Sequence, residues 1–243
     1  MKNINLLVYK LKNIMREKWI KVDGNSCGGI GLKIESLLGV NSNNLEYPDF
    51  EGIEIKTKTS STYQFLTLFH ATPDNSFFEI KRIYNRFGYP NKKNKNRKNF
   101  NVSVYNKKET KLIKYNFFLF IDDLNQKVKM LVLNRNGELV ESRVSWSFSM
   151  LENKFQRKFN QFCLINIITK KICGVTFFSI KDFRIYKSKS FKSFIDLIKT
   201  DKIRITFKIG SFCSGKRVGE IHDRGTSFDL DIKYVEDLFI RII

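Results

Sequence analysis

Stretches in which apolar and polar residues alternate recur along the whole chain, and only a few segments switch to the three-to-four-residue spacing of a helix. Residues 52–59, 65–70, 116–121, 128–133, 139–144, 164–168, 175–180 and 202–209 read as strands, because side chains two apart share one face of an extended backbone. Residues 3–18, 30–38, 150–162 and 190–199 read as helices. Gly39 follows the last apolar residue of the second helix and is placed to close it, and Asn136-Gly137 is a hairpin turn leading into 139–144. These segments follow no regular strand, helix, strand rhythm, which predicts an α+β fold with a mixed central β-sheet flanked by helices. Residues 65–70 are expected to pair with 52–59. No internal repeat or linker interrupts the pattern, so residues 1–243 are read as one domain with two lobes sharing a cleft.

Such a fold needs a core. Hydrophobic residues make up 42% of the 243 positions and 23 of them are Phe, which argues against a disordered chain. Lys and Arg number 44 against 24 Asp and Glu, and the resulting +20 exceeds what solubility requires and attracts polyanions, nucleic acid above all. Coding bias toward Lys, Asn, Ile and Phe is the competing source of part of that excess. The charge is uneven. Residues 81–114 hold 12 Lys and Arg against one acid, Glu109, and read as a basic surface arm. Its polar centre, 90–99, reads as a mobile loop, which either contacts phosphates or is solvated without a role.

Cys27, Cys163, Cys173 and Cys213 lie far apart and form no CxxC pair, so neither a zinc knuckle nor a disulfide framework is expected. Near the start, Leu6, Leu7, Leu11, Ile14 and Met15 recur at helical spacing between lysines instead of forming the continuous apolar block of a signal peptide. No later run approaches the ~20 apolar residues of a membrane helix, so a cytoplasmic protein with no membrane partner is expected.

The run Pro48-Asp49-Phe50-Glu51-Gly52-Ile53-Glu54-Ile55-Lys56 carries the chemistry. On a strand, Glu54 and Lys56 project from one face while Ile53 and Ile55 pack into the core, and Asp49 approaches from the preceding turn. Hydrolysis of a phosphodiester needs charge neutralised on the phosphorane, a water held in line and help with its deprotonation. Two carboxylates gripping a hard divalent cation, with an ammonium beside the water, meet those needs. Mg²⁺ takes one or two protein carboxylates and keeps open positions, which fits Asp49 and Glu54. The competing reading is an edge strand with charged residues facing solvent.

The run resembles the PD-(D/E)xK nuclease motif. Around it, Gly28-Gly29-Ile30-Gly31-Leu32-Lys33-Ile34-Glu35-Ser36-Leu37-Leu38-Gly39 and Gly52-Ile53-Glu54-Ile55-Lys56-Thr57 resemble the N-terminal block of MutH-like nucleases, and within them the MvaI/BcnI family of restriction endonucleases. Ser60-Ser61, Leu66-Thr67-Leu68-Phe69-His70 and Pro73 are similar to the same family, as is Ile221-His222-Asp223-Arg224-Gly225-Thr226-Ser227-Phe228. The resemblance implies a restriction-endonuclease-like, MutH-like fold, with a catalytic lobe over approximately 1–80 and a recognition lobe from the middle and C-terminal segments. It implies Asp49 and Glu54 as Mg²⁺ ligands, Lys56 as the group that positions or activates the water, and Glu35 as an acid supporting the metal site. For Glu35 an exposed helix-face carboxylate is the alternative. Cys27 stands where MutH has a lysine, so no role carries over to it.

The same resemblance implies double-stranded DNA as substrate and a short near-palindromic site such as CC-W-GG or CC-S-GG. It further implies a monomer that nicks the two strands in turn, and a cognate DNA methyltransferase as genetic partner. In the C-terminal block, Arg224 can fork onto guanine, Asp223 can accept from cytosine N4 and His222 can meet a base edge. Thr226 lies in the same implied DNA-binding block, and Gly225 lets backbone approach the groove. A polar turn with a weak Asp223–Arg224 surface pair is the other reading. His70 is either a DNA contact or a structural histidine, and not a Mg²⁺ ligand. Two further functions compete: a MutH-type mismatch-repair nickase, and a non-catalytic nucleic-acid-binding protein using Tyr84, Phe87 and Tyr89 among basic residues.

Overall fold

A computed structural model describes residues 2–22, 29–40, 47–59, 64–92 and 94–243. The glycine-rich turn expected at 23–31 therefore lies largely outside the described residues, with Cys27 and Gly28, and so do Ser60 and Ser61. In chain order the first elements are α1 (Lys2–Arg16), β1 (Ile20–Lys21), α2 (Gly29–Leu38), β2 (Glu54–Thr59), β3 (Phe65–His70), α3 (Ser76–Phe87), β4 (Tyr89–Pro90), β5 (Lys98–Val104), β6 (Thr110–Leu112), β7 (Tyr115–Asp122) and β8 (Lys127–Asn134). There follow β9 (Leu139–Glu141), β10 (Ser145–Ser147), α4 (Phe148–Phe159), β11 (Gln161–Ile172), β12 (Val175–Ser188), α5 (Phe191–Lys199), β13 (Ile203–Ser211), β14 (Ile221–Asp223), β15 (Ser227–Asp231), α6 (Val235–Leu238) and β16 (Phe239–Arg241). The mixed α+β character follows the alternation in the sequence, with the strands of the described residues distributed over three sheets.

The chain forms two compact units. The first gathers residues 1–66, 155–190 and 235–243. Its sheet runs β1-β12-β11-β2, with β16 also on β12. β2 lies parallel to β11, with Glu54 opposite Phe162 and Lys56 opposite Leu164, while β11 and β12 form a long antiparallel hairpin. On one face Ile53, Ile55, Cys163, Ile165 and Ile167 meet Ile4, Leu7, Leu11 and Ile14 of α1 and Ile34 and Leu38 of α2. The helical spacing of those α1 residues makes a single apolar stripe, and burying each stabilises the fold by about 1.5–3 kcal/mol. The side chains alternating with them on β11, Phe162 and Leu164, are buried too, and Phe162 packs with Phe159, Tyr186 and Phe239. Gly39 ends α2 with φ +78°, its N–H donating to Ser36 and that of Val40 to Glu35, the double reverse bond that a left-handed residue makes possible.

The second unit gathers residues 67–154 and 191–234. One sheet runs β3-β15-β13-β5-β4, with β14 on β13, and another runs β10-β8-β7-β6, with β9 on β8. Phe69, Phe100, Phe117, Trp146, Phe207 and Phe228 fill its core, and the buried Trp146 indole donates to the Ala71 carbonyl at 3.0 Å.

Two sequence expectations are corrected here. β3 does not pair with β2 but joins β15, while the partner of β2 is β11, more than 100 residues on. Alternation fixes which face of a strand is buried, not which strand lies beside it. The basic stretch 81–114 is not a simple arm. Ile80, Ile83, Tyr84 and Phe87 bury one side of α3, and Phe100, Val102 and Val104 bury one side of β5. The polar centre closes a β4–β5 turn in which the Asn91 and Asn94 side chains accept from the Asn94 and Asn96 backbones.

Candidate active site and recognition turn

Four of the expected site residues come together in the first unit. Phe50 and Ile53 exchange backbone hydrogen bonds of 2.9 and 2.7 Å around a two-residue turn, Glu51-Gly52, whose φ angles of +46° and +85° are both left-handed. That turn folds Asp49 back beside the start of β2, where its Oδ2 accepts the Ile55 N–H at 2.9 Å. Asn3 of α1 holds the turn from outside by donating to the Glu51 carbonyl at 3.0 Å.

Glu54 opens β2 and is only 1% exposed, a costly place for a carboxylate without partners. Its Oε1 has two: Lys56 Nζ at 2.7 Å and Lys158 Nζ, from α4, at 3.1 Å. Its Oε2 has no hydrogen-bond partner among the described residues. Glu35, half-buried in the last turn of α2, lies within electrostatic reach of the group. Burial, then repulsion from Asp49 and Glu54, raises its pKa, with Lys56 and Lys158 opposing. The Asp49 carboxyl is raised as well, by burial first and then by Glu54, against the Ile55 N–H and the same two lysines. Among the described residues, three carboxylates thus share two ammonium groups, and one buried oxygen lacks a donor. A hard cation would supply the charge that is missing. Among the described residues no three His, Cys, Asp or Glu side chains form a ready cage, but Mg²⁺ asks for only one or two carboxylates, so the donor set fits it.

The other five expected residues lie in the second unit. His222 sits on β14 opposite Gly210, its ring stacked on Phe212 at 4.2 Å and 8°, and the Arg217 guanidinium lies 4.3 Å from that Phe212 ring. Asp223 faces inward to its own turn: Oδ1 accepts the Gly225 N–H and Oδ2 the Thr226 hydroxyl, both at 2.9 Å. Thr226 is fully buried. Arg224 is exposed, and its backbone N–H donates to the Lys208 carbonyl. A Cβ on Gly210 would stand 3.4 Å from the Arg224 Nη2, so the bare glycine leaves room for the guanidinium. Gly225, with φ +111°, passes so close to His70 that a Cβ there would lie 2.7 Å from the ring's Cδ2. The structure therefore brings His70 to the same turn as Asp223 and Thr226.

Lys158, Phe212 and Arg217 are not singled out by the sequence. For Lys158 the signal in the sequence is a basic helix following the run 48–56 by about 100 residues, which does not indicate which lysine turns inward.

Comparisons with known proteins identify the family. The family model of the MvaI/BcnI restriction endonuclease family matches residues 8–239, nearly the whole chain. The chain belongs to that family. It is accordingly a type II site-specific deoxyribonuclease, a hydrolase of DNA phosphodiester bonds, which sets aside the non-catalytic binding protein. Among solved structures it is similar to the restriction endonuclease MvaI in complex with its cognate DNA substrate, with a TM-score of 0.90 and 26% identity over 99% of this chain and 98% of that one. It is also similar to MvaI in the absence of DNA, with a TM-score of 0.64 and 26% identity over 100% of this chain and 98% of that one. No curated protein matches it by sequence. No helix among the described residues is long and apolar enough to cross a membrane.

Proposed function

We propose that this family member cuts double-stranded DNA with Mg²⁺ at a short near-palindromic site of the CC-x-GG type, as a monomer that nicks the strands in turn. Asp49 and Glu54 are the cation ligands, Lys56 orients the attacking water, and Glu35 supports the pair. The observation that carries this reading is the Glu54 Oε2 atom, buried and without a donor among the described residues, beside a second carboxylate and a lysine. Bound Mg²⁺ would stabilise charge on the phosphorane and lower the pKa of a water. The protein's own part is to hold the donors still: the Glu51-Gly52 turn fixes Asp49, and β2 fixes Glu54 and Lys56 on one face. Lys56 Nζ donates to Glu54 and keeps further N–H bonds for a water or a phosphate oxygen.

Recognition falls to the turn in the second unit. Arg224 and His222 meet base edges there, His70 contacts the duplex, and Asp223 and Thr226 keep the turn in shape. The catalytic lobe includes the N-terminal segments, and a cognate methyltransferase protects the host's own sites.

Plasmid DNA incubated with the protein and Mg²⁺ should give discrete fragments by way of a nicked form. EDTA or Lys56→Ala should abolish cutting while DNA binding remains. Full cleavage by Lys56→Ala would overturn the assignment, and sequencing the ends gives the site. Cutting confined to one strand of hemimethylated DNA would favour the MutH-type nickase.

A further inference from the structure

Lys158 reaches the site from an element that the proposed chemistry leaves unused. It precedes Phe159 in the last turn of α4, and the Phe159 ring is fully buried against Phe155, Phe162 and Phe239. That packing makes the turn a rigid mount, so the lysine is presented by the core and not by a loop. Its Nζ, 3.1 Å from Glu54 Oε1, joins Lys56 Nζ on the same oxygen, although Oε2 of the same carboxylate has no donor among the described residues. A carboxylate that needed only neutralising would be served as well by one lysine on each oxygen. Two donors on one oxygen do something else: they make the two oxygens inequivalent and resist rotation of the carboxylate.

We propose that Lys158 is a positioning residue of the active site, which with Lys56 pins Glu54 through Oε1 so that Oε2 is offered to a divalent cation. This rests on the reading of Asp49 and Glu54 as cation ligands. A purely neutralising lysine has the opposite signature, because its removal takes away a positive charge that competes with the cation. The two roles therefore differ in the sign of their effect on cation binding.

The test is Mn²⁺ binding to the DNA-free protein, followed by the electron paramagnetic resonance signal of the free ion. Lys158→Met should raise the half-saturating Mn²⁺ concentration by about tenfold or more, as loss of a group that orients a metal ligand does. Lys158→Arg, which keeps charge and donors, should restore most of the affinity, and the Mg²⁺ dependence of plasmid nicking should move in parallel. An unchanged or lower half-saturating concentration in Lys158→Met overturns the proposal. If that variant does not fold, Lys158→Asn takes its place, polar but too short to reach Oε1, with the same expected rise and the same refuting result. Asp49→Asn separates this inference from the reading beneath it. Intact Mn²⁺ binding there means the ligand assignment fails; binding lost there but normal in Lys158→Met means only the role of Lys158 fails.

Discussion

A methyl group at Gly225 meets two obstacles. The φ of +111° belongs to a region nearly closed to residues with a Cβ, at a cost of about 1–3 kcal/mol. The new Cβ would also lie 2.7 Å from His70 Cδ2 and 3.1 Å from Nε2, and turning the ring away from a staggered rotamer costs about 0.5–1.5 kcal/mol. Taking the middle of each range, Gly225→Ala should destabilise the protein by about 3 kcal/mol, a fall in Tm on the order of 6–12 °C for a chain of this size. Two parts of that cost can be separated, because only the second needs the imidazole. Urea unfolding of wild type, Gly225→Ala, His70→Ala and the double variant closes the cycle. Gly225→Ala should cost about 1 kcal/mol less when His70 is already Ala. A coupling of zero would refute the claim that the ring is seated on Gly225, and would leave the backbone angle as the only constraint.

Gly52 and Gly137 both have left-handed φ, +85° and +82°, and a Cβ at either would meet nothing within 4 Å among the described residues. Alanine at either should lower stability by a similar amount, about 1–2 kcal/mol, in thermal melts. Only Gly52→Ala should also slow plasmid cleavage, since only that turn holds Asp49; equal effects on cleavage would count against the turn's role. Burial pushes the Cys163 thiol up to about 12, so peptide mapping after alkylation at pH 8 should find it unmodified in the folded protein while exposed Cys173 and Cys213 react. Labelling of Cys163 at the same rate would contradict its place in the core. The Asp122 carboxyl, hydrogen-bonded by Lys129 and then by Asn125, is lowered from its ordinary 3.8 to about 2. A depressed carboxyl stabilises the fold above its unfolded pKa and stops doing so as pH falls through the folded one. The Tm advantage of wild type over Asp122→Asn should therefore be constant above about pH 5 and shrink between about 4 and 2. A gap that does not narrow in that window would refute the linkage.

Local pattern was legible and long-range partnership was not. Ile53 and Ile55 alternating with Glu54 and Lys56 announced β2 and the side it buries, and Gly39 announced the end of α2. α3 was hidden because its charges dominate the reading of 81–114, yet Ile80, Ile83, Tyr84 and Phe87 carry the helical spacing in plain view. The partner of β2 could not be read, since Cys163 and Ile165 complete its buried face from far along the chain and many apolar strands would have served. Lys158 was illegible for the same reason. One lysine among many becomes a site residue only because Phe155 and Phe159 choose which side of α4 turns inward.

The distance between Glu54 and Lys158, 104 positions in the chain, also has a consequence in time. At ribosomal rates of about 5–20 residues per second, Glu54 is synthesised roughly 5–20 s before the lysine that completes its surroundings. β12, which flanks β11, gains its neighbour β16 near residue 240 later in the chain again. The second unit's residues are translated in between. A nascent chain therefore carries the run 48–56 without the β2–β11 pairing that buries it until more than 100 further residues have been made.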